Sequence, residues 1–228
     1  MTIENKNSEI QVKEFEFQAE EFENKAIEFE NKARESINIA EQNYKQALEQ
    51  YQQSAEIYIK LNNQEKLAEI YSKIAEIYET EGIIFYKNKE QKDDFLNKAL
   101  EQYQQSAEIY IKLNNQEKLA EIYSNMGGIY EVFQNLNKAL KQYQQSAEIY
   151  KEKKITDELI ITNNVICAIY KQLNKYKEAL KLYNESLSIY NELDDREKSF
   201  LLDEFKNIEN GINRVTKKIT DYHLSQRG

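Results

Sequence analysis

The residues that could carry chemistry are unevenly supplied in this chain: forty carboxylates and seventeen tyrosines, but a single cysteine, Cys167, and a single histidine, His223. A metal centre of several imidazoles or thiolates cannot be assembled from that set, and a Cys/His nucleophilic pair would require Cys167 and His223 to meet. No glycine-rich phosphate loop occurs, so neither a cofactor nor a catalytic set is expected. Fifteen of the tyrosines fall at recurring positions, Tyr86 and Tyr222 being the exceptions, which assigns them to packing. The chemistry left to the chain is recognition by carboxylates, hydroxyls and aromatic rings on a surface.

That surface is built by repetition. Residues 47–72 are identical to residues 99–124, and Lys98-Ala99-Leu100 through Tyr110 returns as Lys138-Ala139-Leu140 through Tyr150. Ala47, Ala99, Ala139 and Ala179 recur, as do Tyr51/Tyr103/Tyr143/Tyr183, Ser54/Ser106/Ser146/Ser186 and Tyr58/Tyr110/Tyr150/Tyr190. A fixed period of this size marks a solenoid, whose units bury their apolar faces against neighbours. Each unit carries two helical stripes. Leu119, Ile122, Tyr123, Met126, Gly127, Tyr130 and Phe133 fall three and four apart, and so do Leu136, Ala139, Leu140, Tyr143, Ala147 and Tyr150. The link Gln134-Asn135 between them forces a tight antiparallel turn. Cys167 occupies the place of Gly127 and Ala75, so it is expected as a small residue at a close helix contact.

The pattern Tyr123, Met126-Gly127, Tyr130, Ala139, Tyr143 resembles the tetratricopeptide repeat (TPR). Tyr71, Ile74-Ala75, Tyr78, Ala99, Tyr103 restate it before, and Asn163, Ile166-Cys167, Tyr170, Ala179, Tyr183 after. The resemblance implies an all-α, right-handed superhelical array of about four helical hairpins. Within that family, the run Lys73–Glu81, the phrase Lys98-Ala99 with Gln105-Ser106-Ala107, and a period near forty residues resemble the soluble attachment proteins of vesicle fusion, the SNAP proteins. The functions implied are a non-enzymatic scaffold or adaptor that binds protein partners, or a SNAP-like adaptor in SNARE disassembly and vesicle trafficking. A regulatory subunit of an enzyme is a further reading.

Composition agrees. With no proline, five glycines, 40% hydrophobic and 31% charged residues, the chain is expected to be helical and soluble. A formal charge of -9 without a concentrated basic face argues against nucleic acid as a partner. No apolar run is long enough to span a bilayer and no leader-like pattern opens the chain, so the cytoplasm is the expected compartment, which one unpaired cysteine permits.

The expected division is a flexible N-terminus at 1–14, a single repeat domain at 15–222 and a tail at 223–228. A capping helix at 15–42 is read from Phe15, Phe22 and Phe29 alternating with Ala19, Ala26, Ala33 and Ala40. The repeats occupy 44–193. A C-terminal capping helix at 196–222 carries the stripe Leu201, Phe205, Ile208, Ile212, Val215, Ile219, Tyr222, continuing through Gly211. Either end helix could instead pair with a second copy. Between Tyr78 and Ala99 twelve residues are inserted relative to the later units, around 82–94. They form either a longer helix and loop or a projecting hairpin whose Ile83, Ile84 and Phe85 meet a partner or a membrane surface.

In the TPR family the first helix of each hairpin lines a concave face. Carried onto this chain, the groove residues are Glu69, Ser72, Glu76 and Glu79, then Glu121, Ser124, Gly128 and Glu131, then Asn164, Ala168 and Lys171. Ser72 with Glu76 and Ser124 with Gly128 stand where chaperone-binding relatives clamp an acidic peptide with lysine and asparagine. The five glutamates among the groove residues point instead to a basic or helical partner segment.

Overall fold

The computed structural model describes the backbone of residues 3–30, 37–85 and 88–225 and, within these, the side chains of 10–25, 39–85 and 88–221. Side chains of Ala26, Phe29, Ala33, Tyr86, Tyr222 and His223 therefore lie outside the described residues. Among the described residues there are ten helices and no strand. The first hairpin is α1 (Ile3–Glu30) with α2 (Ile37–Lys60), and the second is α3 (Gln64–Ile84) with α4 (Lys89–Leu113). The third is α5 (Gln116–Val132) with α6 (Leu136–Lys153), and the fourth α7 (Thr156–Gln172) with α8 (Tyr176–Glu192). The short α9 (Asp195–Phe200) and α10 (Leu202–Ser225) follow.

The turns explain how helices this close end without glycine or proline. Asn62, Asn114, Gln134, Lys154 and Asn174 each adopt a left-handed conformation with φ between 53° and 59°. In each case the next backbone N–H reaches back to a tyrosine carbonyl: Asn63 to Tyr58, Asn115 to Tyr110, Asn135 to Tyr130, Ile155 to Tyr150 and Lys175 to Tyr170. This closes the last helical turn in the manner of a Schellman motif. Asn63 and Asn135 then cap the following helices, their side chains accepting from the N–H of Lys66 and Lys138.

The chain divides into two compact units, Met1–Asn115 and Gln116–Gly228. Each unit holds two of the helical hairpins. In the first, α1 packs on α2, α2 on α3 and α3 on α4; in the second, α5 on α6, α6 on α7 and α7 on α8. The recurring alanines Ala47, Ala99, Ala139 and Ala179 are fully buried, and Tyr51, Tyr103, Tyr143 and Tyr183 are buried beside them.

Three expectations about the ends change. The stretch 1–14, expected to be flexible, is helical from Ile3, and Val12 is fully buried. The expected capping helix 15–42 is not one helix: α1 is the first member of hairpin one, and Ala40 belongs to α2. The reason is legible in register, since Phe15, Ala19 and Phe22 repeat the spacing of Tyr71, Ala75 and Tyr78, and both alanines are fully buried. At the other end, helix 196–222 is interrupted at Leu201: a capping box formed by Asp194 and Glu197 starts the short α9, which ends at Phe200 with Leu201 as its C-cap. Leu201, Ile208 and Val215 enter a core with Ile160, Cys167, Ala179, Tyr183 and Tyr190, so α10 closes hairpin four by packing on α8 and α7.

Candidate binding grooves

The first-helix residues assigned to the concave face divide by what their side chains already hold. In three hairpins a second-helix tyrosine reaches across and donates its hydroxyl to a first-helix glutamate: Tyr51 to Glu23 at 3.0 Å, Tyr103 to Glu79 at 3.0 Å and Tyr143 to Glu131 at 2.9 Å. Each of these tyrosines is buried, so the carboxylate satisfies a phenol that would otherwise lose its partner on folding. Burial pushes the Glu79 carboxyl above its ordinary range, against the pull of the Tyr103 hydroxyl. Burial and then Glu23 likewise hold the Tyr51 phenol well above its ordinary value. Glu79 and Glu131 therefore brace hairpins. In hairpin four the same register holds Lys171, whose ammonium lies 5.6 Å from the centre of the Tyr183 ring.

The serines form a second set of rungs. Ser72 and Ser106 share a hydrogen bond of 2.8 Å, and Ser106 also lies 2.8 Å from the Ala68 carbonyl, to which it donates. Ser124 and Ser146 are 2.8 Å apart, and the Asn163 amide donates to Ser186 at 3.2 Å. Ser106, Ser146 and Ser186 are fully buried, so the recurrence of serine at this position was the sequence signal for these rungs. Asn164 is also engaged: its amide donates to the Glu204 carbonyl of α10 at 3.3 Å. Ala168 is half-buried.

What remains open in the second unit is a groove of about 570 Å³ between α5 and α7, floored by Tyr143 and Tyr150 of α6. Glu117, Glu121, Ser124 and Asn125 line one wall; Glu158, Ile161, Thr162 and Val165 line the other. Of the groove residues expected from the sequence, this brings together Glu121 and Ser124. Gly128 is half-buried, and a Cβ there would meet the Tyr143 hydroxyl at 3.6 Å, an ordinary contact distance. Glu121 is paired with Lys118 at 2.8 Å. Glu117 and Glu158 were missed, although Glu117 lies one helical turn from Glu121 on the same helix. Desolvation, then Asp157 and Glu121, raise the Glu158 carboxyl above its ordinary range, which registers the crowding of negative charge along this groove. A wider cleft of about 740 Å³ between α6 and α8 uses another face of α7, and its rim mixes Glu148, Glu178 and Glu185 with Lys151 and Lys181.

In the first unit Glu20 and Glu23 of α1 and Glu76 of α3 all act on Tyr51, so carboxylates from both first helices converge there too. Glu69 pairs with Lys66 at 2.7 Å, and Lys73 approaches Glu20 at 4.0 Å. The inserted residues lengthen both α3 and α4. Ile83 and Ile84 are exposed, whereas Phe85 sets its ring edge-on to Tyr44 at 5.9 Å.

Cys167 is buried and donates to the Ala179 carbonyl at 3.5 Å, and burial pushes its thiol up to about 12. Among the described residues no group of three or more His, Cys, Asp or Glu could hold a metal ion, and no helix is long and apolar enough to cross a membrane.

Residues 85–194, from within the insertion through α8, match the family model described as soluble NSF attachment protein, SNAP. No curated protein matches the chain. Among solved structures it is similar to a Podosopora anserina putative kinesin light chain with nearly identical TPR-like repeats, at 13% identity over 78% of this chain and 90% of that one, TM-score 0.52. A point-substituted form of that protein matches at 13% identity over 82% and 91%, TM-score 0.53. A thermophilic TPR protein of Thermus thermophilus matches at 15% identity over 85% and 98%, TM-score 0.47. The fold is thus all-α and built of TPR-like helical hairpins, with a SNAP-type resemblance over its middle.

Proposed function

We propose that this run of TPR-like hairpins is a non-catalytic, protein-binding adaptor whose first-helix faces take extended partner segments bearing lysine or arginine. The observation that carries the reading is the open groove between α5 and α7, where Glu117, Glu121 and Glu158 gather over an aromatic floor. Tyr143 and Tyr150 offer apolar contact at low conformational cost, and the carboxylates select charge and steer approach. Because Lys118 offsets Glu121, the net attraction is carried by Glu117 and Glu158.

The test uses fluorescence anisotropy with lysine/arginine-rich, neutral and acidic extended peptides at low and moderate salt. The basic peptides should bind preferentially, with affinity falling as salt rises. Changing Glu117, Glu121 and Glu158 together to glutamine should weaken binding about 3- to 160-fold, at about 0.2–1 kcal/mol per exposed pair. Equal affinity for acidic and basic peptides, unchanged in the triple variant, would remove the reading.

A second reading is favoured by the SNAP family-model match over 85–194. It makes the chain a SNAP-like adaptor in SNARE disassembly, laid along a helical bundle. Binding to preformed helical bundles with no affinity for extended basic peptides would select it.

A further inference from the structure

Glu81 stands in the register of Phe133 and Leu173, which end the first helices of hairpins three and four. Those two residues are half-buried and apolar, as a position against the following helix should be. In hairpin two the insertion carries α3 past this point to Ile84, so residue 81 lies inside a helix. The lengthened α4 then closes over it: a Cβ on the neighbouring Gly82 would lie 3.2 Å from Phe95 and 3.2 Å from Leu96.

A carboxyl group in that place is 4% exposed, and its Oε2 has no hydrogen-bond partner. Another carboxylate, Glu41, acts on it from α2, and Lys98 from α4. Lys98 is already engaged with Asp94 at 2.7 Å, so its charge only partly offsets Glu81. Tyr78, on the same helix as Glu81, senses both Lys98 and Glu81. Burying an ionised carboxylate without a full set of partners is costly, and the group escapes that cost by holding a proton.

We infer that the end of α3 and the lengthened start of α4 form a proton-gated element: closed on α2 while Glu81 is protonated, and loosened over residues 82–85 and 88–96 when Glu81 ionises and draws water into the α2–α3–α4 junction. Ile83 and Ile84, exposed at this end, move with it. Burial first, then Glu41, raise the Glu81 carboxyl to about 7 against the pull of Lys98. A carboxyl held above its unfolded value of 4.5 contributes stability that is full below 4.5 and is lost as pH rises through about 7. The element is therefore closed in mild acid and loosened in mild base.

Hydrogen–deuterium exchange of the full chain at pH 6 and pH 8, with rates corrected for intrinsic pH dependence, tests this. Peptides covering 78–98 should lose about tenfold in protection between the two pH values, because a group titrating near 7 changes its proton-binding factor by about that ratio over this interval. Peptides from α5 to α8 should not change. In Glu81→Gln, and in Glu81→Leu, which restores the residue type of Leu173, protection of 78–98 should be high and flat with pH. Wild-type protection that is flat between pH 6 and pH 8, or an equal loss in either variant, would overturn the inference.

Discussion

Replacing Gly211 by alanine should destabilise the protein even though alanine is the better helix former. Gly211 lies within α10, where the exchange alone favours alanine by about 1 kcal/mol. The structure supplies the opposing cost. A Cβ on Gly211 would lie 2.3 Å from Cζ of Tyr183, 2.5 Å from Cε2 and 2.7 Å from Cε1. Carbon atoms pack at about 3.5–4 Å, so the ring or the helix must retreat by about 1 Å. Tyr183 is 3% exposed in a core with Ile160, Cys167, Leu201 and Ile208, with Lys171 over its ring, which leaves little room to retreat. Overpacking of this kind costs about 1–3 kcal/mol, and three simultaneous contacts place it near the upper end. The net loss is about 1–2 kcal/mol, or a fall in Tm of about 3–8 °C followed by circular dichroism. Gly128→Ala is the internal control, since its Cβ meets only ordinary contact at 3.6 Å and should gain about 0.5–1 kcal/mol. If Gly211→Ala raises Tm as Gly128→Ala does, the argument that Tyr183 requires a glycine beneath it is refuted.

Tyr143→Phe removes the hydroxyl that Glu131 accepts and should lower the urea midpoint by the equivalent of about 1–3 kcal/mol. Tyr183→Phe, with Lys171 at the glutamate's register, should cost less; equal losses would deny the hydroxyl–glutamate bond a role. Cys167, buried with its thiol pushed up to about 12, should react with a thiol reagent at pH 8 only after denaturation; stoichiometric labelling of folded protein within minutes would contradict that placement.

The packing of this protein was legible because it repeats. Ala99 with Tyr103, and Ala139 with Tyr143, announce a helix contact and the ring that fills it, and spacing alone places both on one face. The helical role of 1–14 was hidden because Val12, Phe15, Ala19 and Phe22 keep the register of Ala68, Tyr71, Ala75 and Tyr78 while changing most of the residue types. The groove was harder for a different reason. Periodicity locates a side chain on its own helix but says nothing of a hydroxyl arriving from the next one. Glu79, Glu131, Ser72 and Ser124 consequently looked available for a partner, whereas each is bonded within its hairpin. Glu117, Glu121 and Glu158, which no hydroxyl claims, are separated from them only by that distinction.

The identity of residues 47–72 and 99–124 sets this chain a folding problem of its own. During collapse, either copy of the shared sequence can seek the seat of the other, and a chain that docks the wrong copy is topologically trapped with near-native contacts. Discrimination must come from what the copies meet. Ser106 finds Ser72 and the Ala68 carbonyl, whereas the Ser54 hydroxyl finds no partner. Tyr58 donates to Glu16, a side chain that exists only beside the first copy. At about 1 kcal/mol per bond, these few polar contacts separate the correct pairing from its mirror in sequence. Refolding should accordingly be slowed by exchange between copies, and the unshared stretches of α1 and the lengthened start of α4 act as the keys that keep each copy in its own place.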